Sequence, residues 1–144
     1  MATVRMVEYE DASPEAREVY DDIMARKNID WVPNIWKAMG SHPALLKDVW
    51  FSLQETMKPG RLDPLTKEMI AIAVSVTNGC EYCIHSHTAA ARKLGLDDEM
   101  LGEVMAVTGA FNRTNALANG YHVDVDPPIL EAALGKPKVE DAAD

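Results

Sequence analysis

Ten residues, Asn78 to His87, read "NGCEYCIHSH" and hold both cysteines of the chain and two of its four histidines. A C-x-x-C pair is compatible with dithiol–disulfide exchange, with metal ligation, or with no chemistry at all, the cysteines then acting as small buried residues. On a helix turning about 100° per residue, Cys80, Cys83 and His87 share an arc of roughly 60°. His85 turns to the far side. Structural zinc from Cys80, Cys83, His85 and His87 would need a broken helix, or three local ligands with a distant fourth such as His42 or His122. Tyr82 falls about 160° from Cys80 on the same wheel, where packing against a neighbouring helix or subunit is its ordinary use.

Asn78-Gly79 separates two helical patterns. If these pack antiparallel, Glu68 lies about 15 Å up the first and His87 about 12 Å down the second, so the two are nearly level. Glu68 sits about 70° from the centre of its helix's apolar stripe. A carboxylate there is partly buried and needs a partner, although a lone helix glutamate is more often solvated or salt-bridged. His87 can supply that partner. The reading is then a chain: Glu68 orients His87, His87 faces the thiols, and the thiols lie at a helix N-terminus. The dipole favours the thiolate, a histidine can take its proton, and a second thiol one turn away can resolve a sulfenic acid or mixed disulfide. The sequence contains no G-x-G-x-x-G and no G-K-S/T, so no nucleotide, flavin or phosphate motif accompanies the pair.

The elements that must hold these residues are helical nearly throughout. "SPEAREVYDDIMARK" opens on a Ser13 cap with Pro14 at the first helical position. "IDWVPNIWKAMGSHP" is a connector with a short helix. "PALLKDVWFSLQETMKPG" places Leu45, Leu46, Val49, Trp50, Leu53 and Met57 at helical spacing. "DPLTKEMIAIAVSVTNG" opens on Asp63 and Pro64 with a stripe of Leu65, Met69, Ile72 and Val76. "CEYCIHSHTAAARKLG" follows, closed by Gly95. "DDEMLGEVMAVTGAFNRTNALANG" supplies one or two helices more. Residues 127–144 are expected to form a short docked helix and then a disordered acidic end. "AIAVSV" is the one stretch that a strand could use, and the helical period running back to Leu65 argues against it. His42 before a helix start and His122 at a helix end read as structural, and the methionines and tryptophans as core. The expected fold is therefore all-α: one domain, residues 1–126, of about six to eight helices with a helix hairpin carrying the site.

The totals narrow the function classes. A chain of 144 residues with 47% hydrophobic content buries a core without needing a disulfide or metal. A formal charge of -9 with no basic run disfavours nucleic acid and anionic membrane. No signal peptide or membrane span is expected, and two cysteines three apart are not a secreted disulfide framework. These readings point to the cytoplasm.

The spacing Glu68–x11–Cys80–x2–Cys83–x3–His87 resembles the motif of the AhpD-like, or carboxymuconolactone decarboxylase-like, family of small all-helical proteins. The flanking text "LTKEMIAIAVSVTNGCEYCIHSHTAAARKLG" and "FNRTNALANGYHVD" is similar too, so the resemblance runs from about Trp31 to Asp124. It implies a thiol-dependent alkylhydroperoxidase or disulfide reductase. Cys83 would be the peroxide-attacking thiolate, Cys80 the resolving thiol, and His87 with Glu68 the proton relay. Some members carry a histidine before the second cysteine. Tyr82 stands there in this chain, as in other members, and a phenol titrating at about 10 is a poorer base at neutral pH. The decarboxylase branch lacks the cysteine pair. The resemblance further implies no bound cofactor, a peroxide substrate, an external dithiol or lipoyl-protein reductant, and a homo-oligomer, trimer or hexamer. Three rivals remain open at this point: a zinc-binding structural protein, a thioredoxin-like carrier with strands around "AIAVSV", and a sensor or scaffold that has lost turnover.

Overall fold

The computed structural model of the chain describes residues 2–135. A single turn of 3-10 helix at Tyr9–Asp11 precedes seven α-helices: α1 (Pro14–Lys27), α2 (Asn34–Met39), α3 (Pro43–Met57), α4 (Pro64–Thr77), α5 (Glu81–Lys93), α6 (Asp98–Gly120) and α7 (Pro127–Ala133). No strand occurs among the described residues. "AIAVSV" lies inside α4, which removes the thioredoxin-like alternative. The acidic end expected to be disordered lies outside the described residues.

The chain divides into two compact units, one up to Lys67 and one from Glu68 onward. The first is built on α1 and α3. Ser13 Oγ accepts the Ala16 amide at 3.2 Å and Pro14 opens the helix, which starts α1 where the sequence places it. Ala16, Val19, Tyr20 and Ile23 recur at i, i+3, i+4, i+7 and form its buried face. α3 presents Leu46 and Trp50 to the same core, and Trp36 of α2 meets Trp50 edge-to-face with ring centroids 5.1 Å apart. The Trp50 indole N–H donates to Asp22 at 2.6 Å, so its polar end is satisfied inside the core. Gly40 is needed for packing. A Cβ there would lie 2.2 Å from the Tyr20 hydroxyl, which donates to the Val7 carbonyl at 3.1 Å. Lys67 ends the unit by donating to the carbonyls of Thr56 and Lys58, both at 2.7 Å, which satisfies the last turn of α3.

The helix that carries Glu68 is started by Asp63. Its carboxylate accepts the Thr66 amide at 3.0 Å and the Thr66 hydroxyl at 2.6 Å. These bonds, the hydroxyl's first, hold the Asp63 carboxyl below the usual carboxylate range. Its folded pKa therefore lies under its unfolded value. The stability it contributes is present above the unfolded pKa, about 4, and is lost as pH falls through the folded value. Replacing Asp63 by Asn keeps a capping oxygen and removes this titration. The thermal midpoint of Asp63→Asn should accordingly fall less steeply than that of wild type over the acid limb, as followed by circular dichroism. Parallel acid limbs would mean that Asp63 contributes nothing to them.

In the second unit α4 and α5 form the hairpin, α6 follows at 23 residues, and α7 comes after a short extended stretch. α6 is one continuous helix, where the sequence left one or two open. Asp97 starts it by accepting the Met100 amide at 2.7 Å. Only Thr108 of α6 is buried, and no residue of α7 is. The short helix expected near the C-terminus is present, and all of its residues are exposed.

Candidate active site

The turn between α4 and α5 is made by Asn78 and Gly79. Gly79 has φ +66°, a left-handed conformation that side chains disfavour and glycine adopts freely. The reversal brings the two helices back along each other. Glu68 on α4 and His87 on α5 meet there: Glu68 Oε2 lies 2.7 Å from His87 Nδ1. The Glu68 side chain is 15% exposed and that of His87 32%. The contact orients the ring: a carboxylate only accepts, so in a neutral imidazole held this way the proton sits on Nδ1 and the Nε2 lone pair is the one presented.

Cys83 stands one turn before His87 on α5, on the same face of that helix. Cys80 does not lie within the helix. The helix begins at Glu81 and Cys80 is its N-cap, with its sulfur accepting the Cys83 amide at 3.3 Å. The wheel angle assigned to it from the sequence therefore does not apply. The capping contact places its sulfur next to Cys83 instead, and the two cysteines form a disulfide with their Cα atoms 5.3 Å apart. Cys80 is also tied at its backbone, its N–H donating to Ser75 O at 2.9 Å and its carbonyl accepting from Ile84 N at 2.9 Å. Both cysteines are partly exposed, so reagents can reach the bridge.

Tyr82 is half-exposed and His85 is exposed, on the outer side of α5. His42 is spent as the cap of α3, with Nδ1 accepting the Leu45 amide at 3.1 Å, and His122 lies just past the end of α6 with φ +51°. Among the described residues no group of three His, Cys, Asp or Glu side chains is placed to hold a metal ion. One positioning contact was not visible in the sequence. Thr77 Oγ1 reaches Asn112 Oδ1 of α6 at 3.1 Å and ties the end of α4, just before the cysteine turn, to α6. Asn112 stands in a polar run that offers no signal of which neighbour it meets.

Comparison with known proteins places this geometry in a lineage. The family model described as "Carboxymuconolactone decarboxylase family" matches residues 43–124, more than half of the chain. The chain belongs to that family. Within it, the chain is similar to the crystallised alkylhydroperoxidase AhpD core from Rhodospirillum rubrum, with 45% identity and a TM-score of 0.84 over 90% of this chain and 98% of that one. The all-helical, AhpD-like fold follows. Similar curated relatives include uncharacterized protein H16_B0147 of Cupriavidus necator, 31% identical over 54% of this chain and 75% of its own length. Uncharacterized protein 4 in the cox locus of Paracoccus denitrificans is 31% identical over 53% of this chain and 69% of its own. Uncharacterized protein YdfG of Bacillus subtilis is 34% identical over 37% of this chain, and the match spans only 36% of YdfG. No helix among the described residues is long and apolar enough to cross a membrane.

Proposed function

We propose that this carboxymuconolactone decarboxylase family protein is a thiol-dependent oxidoreductase that reduces organic hydroperoxides or hydrogen peroxide through Cys80 and Cys83. The observation that carries the reading is the Glu68–His87 pair, 2.7 Å apart, one turn along α5 from a capped cysteine bridge. The similarity to the alkylhydroperoxidase AhpD core of Rhodospirillum rubrum supports it.

In the cycle, His87 Nε2 takes the Cys83 thiol proton, and the thiolate attacks the distal peroxide oxygen. The O–O bond breaks, Cys83 becomes a sulfenic acid, and the alkoxide leaves as alcohol with the proton His87 returns. Cys80 then attacks the Cys83 sulfur, forming the bridge and releasing water. An external dithiol of small-molecule or lipoyl-protein type reduces the bridge and is itself oxidised to a disulfide. The Glu68 carboxylate, held on Nδ1, stabilises the imidazolium while it exists. No cofactor is needed, and the cysteine pair argues against the decarboxylation for which the family is named. Self-association as a trimer or hexamer, a soluble cytoplasmic setting and a single-domain body over residues 1–126 belong to the same proposal.

Tyr82 favours a second reading. A phenol between the cysteines is a weak proton carrier at neutral pH, so the preferred oxidant is then a protein or lipoyl disulfide, with little peroxidase activity. Mass spectrometry of alkylated protein, before and after one equivalent of an organic hydroperoxide, tests the main reading. Disappearance of both alkylatable thiols, with a mapped Cys80–Cys83 bridge that a dithiol reverses, supports it. Thiols that survive the peroxide but are bridged by a dithiol-derived disulfide favour the second, and thiols inert to both sink the two together.

A further inference from the structure

The turn that joins the two helices of the site carries a chemistry of its own. Asparagine is a chemically labile residue. Its side-chain amide can be attacked by the backbone nitrogen of the residue that follows. A side chain on that next residue crowds the attack, and glycine has none. The chain has six asparagines, and two of them precede glycine: Asn78-Gly79 and Asn119-Gly120. Isoleucine, arginine or alanine follows the other four.

The fold treats the two pairs differently. Gly120 is the last residue of α6, and its amide belongs to the helical ladder. The helix end beyond it is closed by the amides of Tyr121, His122 and Val123, which donate to the carbonyls of Leu117, Asn119 and Ala118. Asn78-Gly79 instead straddles the exit of α4, which ends at Thr77. Both residues are exposed. The Gly79 amide donates to the Val76 carbonyl at 3.1 Å from a left-handed turn, φ +66°. A Cβ on Gly79 would meet nothing within 4 Å, so the space around the pair is open. Turns at helix ends open more readily than the ladder inside a helix.

We infer that Asn78 is a spontaneous modification site, converted to aspartate and isoaspartate through a succinimide, and that the conversion disturbs the hairpin that pairs Glu68 with His87. In the first step the Gly79 nitrogen loses its proton to solvent and attacks Asn78 Cγ. The N–Cγ bond forms, the Cγ–Nδ2 bond breaks, and the nitrogen leaves as ammonia with a proton from water. Water then opens the ring. Addition at Cγ gives aspartate. Addition at the main-chain carbonyl gives isoaspartate, whose main chain runs through the side-chain carbons. Water is the only co-reactant.

The position gives the conversion its effect. Isoaspartate inserts one extra methylene into the main chain two residues before Cys80. The Cys80 amide bonds the Ser75 carbonyl at 2.9 Å and so closes a loop, residues 75–80, that contains Asn78. A longer loop cannot keep both that bond and the 2.7 Å contact of Glu68 with His87. Aspartate leaves the chain length alone and adds a negative charge near the start of α5, which disfavours a thiolate there. Isoaspartate carries the same charge and loses the register as well.

The modification needs no thiol chemistry, and its test reads it directly. The full chain is aged at mildly alkaline pH, native and in urea, and peptide mapping follows both Asn-Gly pairs. In urea the two should convert at the same rate. In the native protein Asn78 should convert at least about tenfold faster than Asn119, because the helix protects the Gly120 amide. Asn78→Gln should keep its mass, since the larger ring it would need closes far more slowly. Each sample is then reduced and its cysteines alkylated. Aged wild type should show a slowly alkylated fraction that matches its isoaspartate content, and aged Asn78→Gln should show none. Equal native rates at the two pairs, or a native Asn78 that survives while the urea sample converts, overturn the site. Conversion that leaves the alkylation rate unchanged overturns its effect on the hairpin. Thiols that ignore peroxide leave every one of these readouts intact and sink only the redox cycle, so the two readings fail separately.

Discussion

Cys83→Ser should lose peroxide turnover down to the uncatalysed level, a fall of about 10³-fold or more, because the group that forms the covalent intermediate is gone. Cys80→Ser should behave differently. Its serine keeps an oxygen at the cap of α5, so the helix start is preserved. Cys83 can still react once, but its sulfenic acid has no neighbouring thiol to resolve it. A burst of one peroxide per chain followed by a stall is the expected trace. A sulfenic-acid-trapping reagent should then label Cys83 in Cys80→Ser and nothing in Cys83→Ser. Full activity in Cys83→Ser would show that the roles assigned to the two sulfurs are wrong. A multi-turnover Cys80→Ser enzyme would show that the bridge is not an obligatory intermediate.

Glu68→Gln carries the second large effect. The amide is nearly isosteric with the carboxylate, so it can fill the same place beside His87. It cannot stabilise an imidazolium. It can also donate to Nδ1, which would leave the proton on Nε2 and remove the base. Positioned proton transfer is worth about 10²–10⁴-fold in rate, and most of that should be lost. The fall should appear in the rate of Cys83 oxidation at neutral pH and shrink as pH rises, because at high pH the thiol ionises without help. A merely structural role for Glu68 would instead lower the rate by one factor at every pH, with a matching loss of thermal stability.

Much of this arrangement is written in local chemistry. Ser13-Pro14, Pro43 and Asp63-Pro64 mark three helix starts because capping and proline geometry are decided within a few residues. The level of Glu68 with His87 follows from counting rises outward from one turn, since an antiparallel hairpin has a single register once its turn is placed. Other features rest on comparisons between alternatives of similar cost. Cys80 has equal standing in the sequence as the last residue of a turn or the first of a helix, and a sulfur-to-amide contact decides the matter. The segment from Asp97 leaves one or two helices open in the sequence, and the structure runs a single helix through Gly102 and Gly109. The partner of Asn112 depends on which helix lies beside it, and no nearby residue encodes that. Ile129 and Leu130 of α7 are more than half exposed, for apolar residues report that burial is favourable but not by which molecule.

At Cys80, one sulfur serves two masters. It carries half of the dithiol, and it is also the atom that closes the first turn of α5. A hydroxyl does the second job at least as well, for serine is among the favoured caps. A single-nucleotide change from cysteine to serine would thus erase the bridge while leaving the hairpin, the Ser75 and Ile84 anchors and the Glu68–His87 pair in place. Selection for folding would not oppose that change; only selection for the chemistry would. A lineage built on this fold can therefore lose the cysteine bridge without passing through an unstable intermediate, and keep the scaffold for something else.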